Sequence, residues 1–191
     1  DLRKKINQSR KFLSDINDQS KIVLKTLYRG LKSNPKEYAP QVFIGILGFF
    51  VGSGGIDGDG GIPDLDLKGG IGNHRSIWTH SILPAIMIEG LIMSFVILID
   101  KVYEKLPENH DVFWDSFKRS TNKISDAFII GSCTGIAYHL LIDSNVLDPS
   151  TFSAKSYVDL PFSTSNDMHQ GILFSNSITE FVDNKEKIKK G

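Results

Sequence analysis

The segment from Asp57 to Ser81 constrains the chain more than any other part of the sequence. It contains four aspartates and two histidines, and its glycines, together with Pro63, disfavour regular secondary structure. Carboxylates so close in sequence repel one another unless a cation neutralises them. A solvated acidic loop would explain the aspartates alone. His74 and His80 favour a divalent metal site instead.

Outside this segment, apolar residues recur at helical spacing and no alternating strand pattern is present. We expect helices over residues 2–31, 40–51, 76–106 (with a kink at Pro84) and 111–142, then a loop through Asn166 and a short helix from Ser177. The predicted fold class is all-α, a compact helical bundle with a Gly/Asp-rich metal-binding loop between helices. We predict a single helical domain, residues 1–191, with a motif-bearing core at about 40–145, a peripheral N-terminal helix 1–34 and a C-terminal segment 148–191.

The second half of the fourth helix carries a regular pattern of small residues. Five residues follow one another at four-residue steps: Ala127, Gly131, Gly135, His139 and Asp143. Small residues allow close helix approach, so we expect this face to pack against the helix that begins near Ser76 and to bring His139 to His80. A His and an Asp one turn apart can ligate one metal ion, or the Asp can hold the His from behind.

The composition excludes several classes of protein. Lys+Arg and Asp+Glu are both 22, so the net charge is zero and a dedicated nucleic-acid surface is not expected. The one cysteine, Cys133, excludes an internal disulfide and is predicted to be a small core residue. The 18-residue apolar run Ile82–Ile99 is near the length of a membrane span, yet a buried core helix looks the same. We therefore expect a cytoplasmic or inner-membrane-associated protein, with spanning the less favoured alternative.

Six residues are candidate metal ligands: Asp64, Asp66, His74, His80, His139 and Asp143. Mixed imidazole and carboxylate ligands suit zinc first, then manganese or iron, and more than four candidates leave room for one or two ions. Such a site activates water or polarises a phosphoryl or acyl oxygen. The sequence has no phosphate-binding loop of an NTPase, no G-x-S-x-G and no H-E-x-x-H.

Three motifs together resemble the YdjM-like, membrane-bound metal-dependent hydrolases: P-D-L-D at 63–66, H-R-S-I-W-T-H-S at 74–81 and H-L-L-I-D at 139–143. The resemblance implies an α-helical hydrolase that depends on a divalent metal. Members of that family usually carry a histidine ahead of P-D-x-D. None precedes His74 here, so either Asp57 and Asp59 replace that ligand or the site has one metal fewer. The late H-x-x-x-D is also similar to all-α zinc phospholipases C and nucleases, which favours phosphoesters.

We therefore predict a metal-dependent hydrolase, phosphoesterase- or phospholipase-like, in which a metal-activated water attacks a small-molecule or lipid phosphoester. Arg75 is expected either to bind the substrate phosphate or to form a salt bridge with an aspartate. Thr79 and Asp66 complete the predicted catalytic set, and Asp59 joins the predicted metal ligands. The alternative is a helical interaction or membrane-associated protein whose metal is structural. We expect His169 to lie in a loop away from the site and His110 to be an exposed turn residue. The oligomeric state is left open.

Overall fold

Helices make up most of the described part of the protein, and none of the described residues forms a strand. The computed structural model describes Lys21, Lys25 and residues 27–57, 60–70, 75–144 and 166–190. Residues 27–33 are helical. The longer helices are α1 (Pro35–Ser53), α2 (Leu83–Tyr103), α3 (Val112–Asp143) and α4 (Asn166–Lys190), and a 3-10 helix covers Pro63–Gly69. The predicted all-α fold class is confirmed.

Two helix starts differ from the prediction, and in both cases proline explains the difference. α1 begins at Pro35, directly after Asn34, and Pro40 lies inside it. α2 begins at Leu83 and not near Ser76, because Pro84 falls in its first turn, where the missing N–H has no helical partner to lose. The expected kink at Pro84 is therefore absent, and residues 75–82 form turns that carry site residues.

α3 is the central helix, and its start follows from a side-chain cap. The Asp111 carboxylate accepts a hydrogen bond from the N–H of Phe113 at 2.7 Å. The core consists of α3 residues packed against Ala85 of α2 and Leu173 of α4, and Cys133 is fully buried in it, as predicted.

The small-residue face of α3 packs against α1, so the predicted partner, the helix that begins near Ser76, is wrong. A Cβ at Gly131 would overlap the carbonyl of Gly45, and one at Gly135 would lie 2.8 Å from the N of Ser53. Gly48 and Gly52 of α1 lie against α3 at this contact. Two helix faces that both consist of small residues can approach each other more closely than a small face of α3 could approach the bulky side chains of α2. This contact nevertheless brings the C-terminal end of α1 next to His139.

The C-terminal helix is much longer than predicted. α4 covers Asn166–Lys190, so Ser177 lies inside a helix instead of capping one. The Ser177 hydroxyl donates to the carbonyl of Ala137 at 2.7 Å, which ties α4 to α3. Its sequence contains Gly171 and several Ser and Asn residues, all poor helix formers, which obscured this helix in the sequence. The predicted loop before it lies outside the described residues.

Among the described residues, two helices are long and apolar enough to cross a membrane by length and composition. α2 has a mean hydropathy of 2.0 and 11% of its most apolar window is buried, whereas α3 has 1.3 and 56%. A core helix of a soluble protein passes the same test, and α3 has that character. The fold is thus compatible with either a membrane-associated or a soluble protein.

Contacts along the chain group into two units, Asp1–Val42 and Phe43–Gly191. In the first unit, the ring of Tyr38 packs directly against Gly30. In the second unit lie the second half of α1, the 3-10 helix and helices α2 to α4, and all site residues described below belong to it. The prediction of a single domain stays a prediction.

Candidate metal centre

The candidate centre lies where the C-terminal ends of α1 and α3 meet the segment between α1 and α2. Gly61 has a φ of 76°, and a Cβ there would lie 2.5 Å from the N of Gly54, so glycine lets this segment return onto the end of α1. The N–H of Ile62 then bonds the carbonyl of Val51 at 3.0 Å, and the Tyr138 hydroxyl donates to the carbonyl of Ile56 at 2.5 Å. These bonds hold the 3-10 helix, with its two aspartates, against the end of α3.

Four side-chain atoms from three segments converge on one point. His80 Nε2 lies 3.3 Å from Asp143 Oδ2 and 3.6 Å from Asp64 Oδ1. His139 Nε2 lies 3.6 Å from the same Asp143 oxygen and 3.8 Å from the same Asp64 oxygen. The two imidazole rings stand 5.4 Å apart between centroids. The four side chains together are almost inaccessible to solvent, with side-chain exposures between 0% and 11%.

The spacing of these atoms fits a metal ion. In tetrahedral coordination, zinc bonds of about 2.0–2.2 Å place neighbouring ligand atoms about 3.3–3.6 Å apart. The four observed separations span 3.3–3.8 Å. Ligand atoms of Asp64, His80 and His139 all lie within 4.8 Å of one another. This triad of two imidazoles and one carboxylate could therefore hold a divalent metal ion, and the donor types are those that zinc, manganese and iron accept. Asp143 Oδ2 lies beside both imidazoles.

Each histidine is held through the ring nitrogen that points away from the convergence point. His139 Nδ1 donates to the carbonyl of Ser53 at 3.3 Å, and Nε2 faces the convergence point. His80 Nδ1 lies 3.2 Å from Asp66 Oδ2 and 3.1 Å from the Thr79 hydroxyl. Metal-binding histidines commonly have such a carbonyl or carboxylate behind them, because it fixes the tautomer and the ring orientation.

Asp66 is itself fixed by two donors. Its Oδ2 accepts the Thr79 hydroxyl at 2.6 Å and the N–H of Ser76 at 2.9 Å. Asp64, the other aspartate of P-D-L-D, accepts the N–H of Gly60 through Oδ2 at 2.5 Å and turns Oδ1 to the convergence point. Asp64 thus faces the convergence point, whereas Asp66 lies behind His80.

The charges of the cluster favour a bound cation. Burial lowers the pKa of His80, but hydrogen bonds to Asp143 and Asp64 outweigh burial, so the pKa lies above its ordinary 6.5. Burial raises the pKa of Asp143, but hydrogen bonds from His139 and His80 and the charge of Arg75 hold it well below the usual range. The carboxylates therefore attract positive charge into the site, which a proton on His80 or a metal ion can supply.

Arg75 lies beside the cluster and bonds to it through one nitrogen only. Its Nη2 donates to Asp143 Oδ1 at 3.0 Å, while Asp143 Oδ2 faces the two histidines. The guanidinium is buried, and its Nε and Nη1 have no hydrogen-bond partner among the described residues. Arg75 also has a φ of 68°, a conformation that costs a non-glycine residue about 1 kcal/mol or more. The predicted salt bridge is present, and two donors remain for another group.

The structure brings together all of the predicted site residues that it describes. Asp64, Asp66, His80, His139 and Asp143 lie together as the sequence analysis predicts, with Asp66 on the far side of His80. Arg75 and Thr79 adjoin them. Asp59 and His74 lie outside the described residues.

Two groups near the site were missed by sequence reasoning. The Ser53 carbonyl holds His139, and no sequence signal marks a backbone oxygen. His169 is 3% exposed in α4, not in a loop. Hydrogen bonds join Ser177 to Ala137 and Asn184 to Ile130, so α4 runs antiparallel to α3. Continuing this register places His169 at the level of the C-terminal end of α3.

Comparison of the chain with protein-family models, curated proteins and solved structures gives no match. The site is therefore interpreted from its own geometry.

Proposed function

We propose that the protein is a metal-dependent hydrolase of phosphoesters, with zinc as the favoured metal. The observation that carries the proposal is the convergence of ligand atoms of Asp64, His80 and His139 within 4.8 Å of one another, with Asp143 Oδ2 3.3 Å and 3.6 Å from the two Nε2 atoms. The order of the motifs along the chain, which resembles that of the YdjM-like hydrolases, is consistent with the proposal, and membership of that family stays a prediction.

The bound metal would supply one chemical effect, the lowering of the pKa of a water molecule from about 15.7 towards about 7. The protein side chains do the rest. Asp66 and Thr79 hold the His80 ring through Nδ1, and the Ser53 carbonyl holds the His139 ring. The burial of all four ligand side chains strengthens every electrostatic interaction in the site, because the local dielectric constant is low.

Arg75 is the residue that we assign to the substrate. A phosphoryl group has several anionic oxygens, and the N–H groups of an arginine donate strong, charge-assisted hydrogen bonds to them. Nε and Nη1 of Arg75 each keep an N–H for such a bond, and the bond from Nη2 to Asp143 fixes the plane of the guanidinium. Asp143 therefore connects the phosphate-binding group to the metal ligands and sets the distance between them.

A structural metal site is the second candidate, and one observation favours it. Asp143 Oδ2 lies beside both imidazoles and would, if it joined the triad of Asp64, His80 and His139, complete the four protein donors of a closed structural zinc site, whereas catalytic sites keep one position for water or substrate. Against it stands Arg75, because a structural site does not need a strained, buried arginine with two remaining donors.

Metal content and hydrolysis, measured on the same preparations, test the proposal. We expect about one zinc per chain by elemental analysis and hydrolysis of a generic phosphodiester such as bis-p-nitrophenyl phosphate, lost on chelation and restored by zinc. Arg75→Ala should keep the zinc and lose at least 10-fold in kcat/KM, while the exposed neighbour variant Lys68→Ala should keep both. Stoichiometric zinc without hydrolysis of any phosphoester by the wild type would favour the structural site.

A further inference from the structure

Exposed apolar side chains lie next to the charged residues of the candidate centre along the chain. Four of them form a set that we call the apolar collar: Ile56 (75% exposed), Leu65 (47%), Leu67 (41%) and Trp78 (69%). Along the 3-10 helix the collar alternates with the aspartates, since Leu65 and Leu67 point outwards whereas the side chains of Asp64 and Asp66 are 9% and 6% exposed. Full burial of a large apolar side chain contributes about 1.5–3 kcal/mol, and these side chains forgo a part of it by staying partly in water, so such a set indicates an apolar contact.

The same apolar character continues along α2, which starts beside the collar. Every exposed position of α2 from Ile86 to Leu98 is uncharged, and most are large and apolar. At 100° per residue, these positions cover an arc of about 200° around the helix. A single packed helix covers a stripe of about 100°. The exposed arc of α2 is thus wider than one protein helix would cover, and it suits immersion in lipid.

The second half of α1 has the same apolar character as α2. From Phe43 to Ser53 the helix contains no charged residue, and five of its large apolar side chains are exposed: Phe43, Ile46, Leu47, Phe50 and Val51. By contrast, α3 and α4 expose charged groups midway along their lengths, including Arg119, Asp126 and Asp183. The helices therefore divide into an apolar pair and a polar pair.

This division decides between crossing a bilayer and lying on it. Lys118 pairs with Asp100 at 3.2 Å and the Tyr103 hydroxyl bonds Asp115, so the charged part of α3 runs alongside the apolar second half of α2. A hydrocarbon layer about 30 Å thick that enclosed α2 would also enclose the exposed Arg119 and Asp126, at a cost of several kcal/mol. Lying in the plane of the interface buries α2 and leaves the charged helices in water.

We infer that α2 and the second half of α1 lie in the surface of a lipid bilayer, and that the collar presents the centre to lipid headgroups. The substrate is then a phosphoester carried by a membrane lipid, not a freely soluble one. Trp78 at the collar is the residue type that proteins place at the membrane–water boundary. The headgroup phosphate of a lipid in the contacted leaflet lies at that boundary. This substrate class rests on the hydrolase proposed above.

A matched pair of substrates tests whether the protein prefers a membrane lipid to a soluble phosphoester. The full chain loaded with zinc is assayed on one phospholipid headgroup in two forms, long-chain lipid in vesicles and a dihexanoyl analogue kept below its micelle concentration. We expect the vesicle rate to exceed the soluble rate at least 10-fold. The double variant Leu67→Ser/Trp78→Ser should lower this ratio at least 5-fold, while Val112→Ser, a 72% exposed valine outside the surface, should preserve it.

A binding measurement separates the two proposals. Trp78 and Trp114 are the two tryptophans, so in Trp114→Phe the emission reports on Trp78 alone. We expect a blue shift on vesicles and quenching by lipids brominated near the headgroup. Quenching without hydrolysis of either substrate would overturn the hydrolase and with it the lipid substrate. Hydrolysis of the soluble ester, with equal rates on vesicles and on the soluble form and no quenching, would overturn the membrane inference alone. A concentration-dependent dimer would then show that a second copy of the chain, and not lipid, covers the apolar surface.

Discussion

The close contact between α1 and α3 makes the metal centre sensitive to a single methyl group outside it. Gly135 lies one turn before His139 on α3, with α1 directly against it. We expect Gly135→Ala to destabilise the fold and to weaken metal binding, although alanine is the better helix former. The reason is steric, because the new Cβ has only backbone atoms of α1 around it.

The size of the effect follows from the distances. The Cβ would lie 2.8 Å from the Ser53 N and 3.0 Å from the Gly52 Cα, where ordinary contacts begin at 3.4 Å, and it would overlap the Phe49 carbonyl. The end of α1 must therefore retreat by about 0.6 Å or more. The hydrogen bond from His139 to the Ser53 carbonyl, 3.3 Å long, would stretch to about 3.9 Å and break. Overpacking of this kind costs about 1–3 kcal/mol, and loss of a group behind a ligand lowers metal affinity about 10–100-fold.

The assay compares two glycine variants by thermal unfolding and by zinc titration against a competing chelator. Gly90→Ala is the matched control, because Gly90 lies within α2 and has no neighbouring atom within 4 Å of its Cβ position. It should stabilise the protein by up to about 1 kcal/mol and leave the zinc affinity unchanged. If Gly135→Ala were as stable as Gly90→Ala and bound zinc equally well, the proposed link from the helix contact to His139 would be refuted.

Three shorter predictions concern the centre itself. Asp64→Ala and His139→Ala should each lose stoichiometric zinc and hydrolysis while circular dichroism shows the helix content retained; full activity in both would contradict the site. Asp66→Asn should lower zinc affinity about 10–100-fold without removing a donor atom from the converging group, which a chelator competition measures. Arg75→Lys should keep zinc and recover only part of the kcat/KM lost in Arg75→Ala, because lysine cannot offer two coplanar donors; complete recovery would show that charge alone suffices.

Much of the fold and the site could be predicted because both depend on local chemistry. Helical spacing is a local property, and the all-α class follows from it. The convergence of Asp64, His80, His139 and Asp143 could also be predicted, since buried imidazoles and carboxylates have few stable arrangements other than around a cation. The four-residue steps from Gly131 to His139 indicated correctly that the end of α3 belongs to a close helix contact.

The parts that could not be predicted depend on which surfaces meet. The small face of α3 has two candidate partners, and only the three-dimensional packing shows that Gly48 and Gly52 of α1 fit it. The position of Asp66 behind His80, and not in front of it, depends on a backbone bond from Ser76 that no residue type signals. The helical state of residues around His169 comes from packing against α3, which overrides a low helix propensity.

Near the N-terminal end of α3, His110 makes a pH-dependent contribution to the stability of the fold. His110 donates to the carbonyl of Pro107 at 2.9 Å through Nδ1, and its Nε2 lies 3.0 Å from Asp115 Oδ1, so both ring nitrogens face acceptors. The hydrogen bond to Asp115 raises the pKa of His110 above 6.5. The hydrogen bond from Tyr103 and then that from His110 lower the pKa of Asp115 below 3.8.

The signs of the two pKa shifts define the pH window of this contribution. A raised histidine pKa stabilises the fold fully below 6.5, and the effect is lost as the pH rises through the folded-state pKa. A lowered carboxyl pKa stabilises it above 3.8, and the effect is lost as the pH falls through the folded-state value. The difference in melting temperature between the wild type and His110→Gln should therefore be larger at pH 5.5 than at pH 9. A proton NMR titration of His110 with a midpoint at or below 6.5 would show that the contact with Asp115 does not hold the proton on the ring.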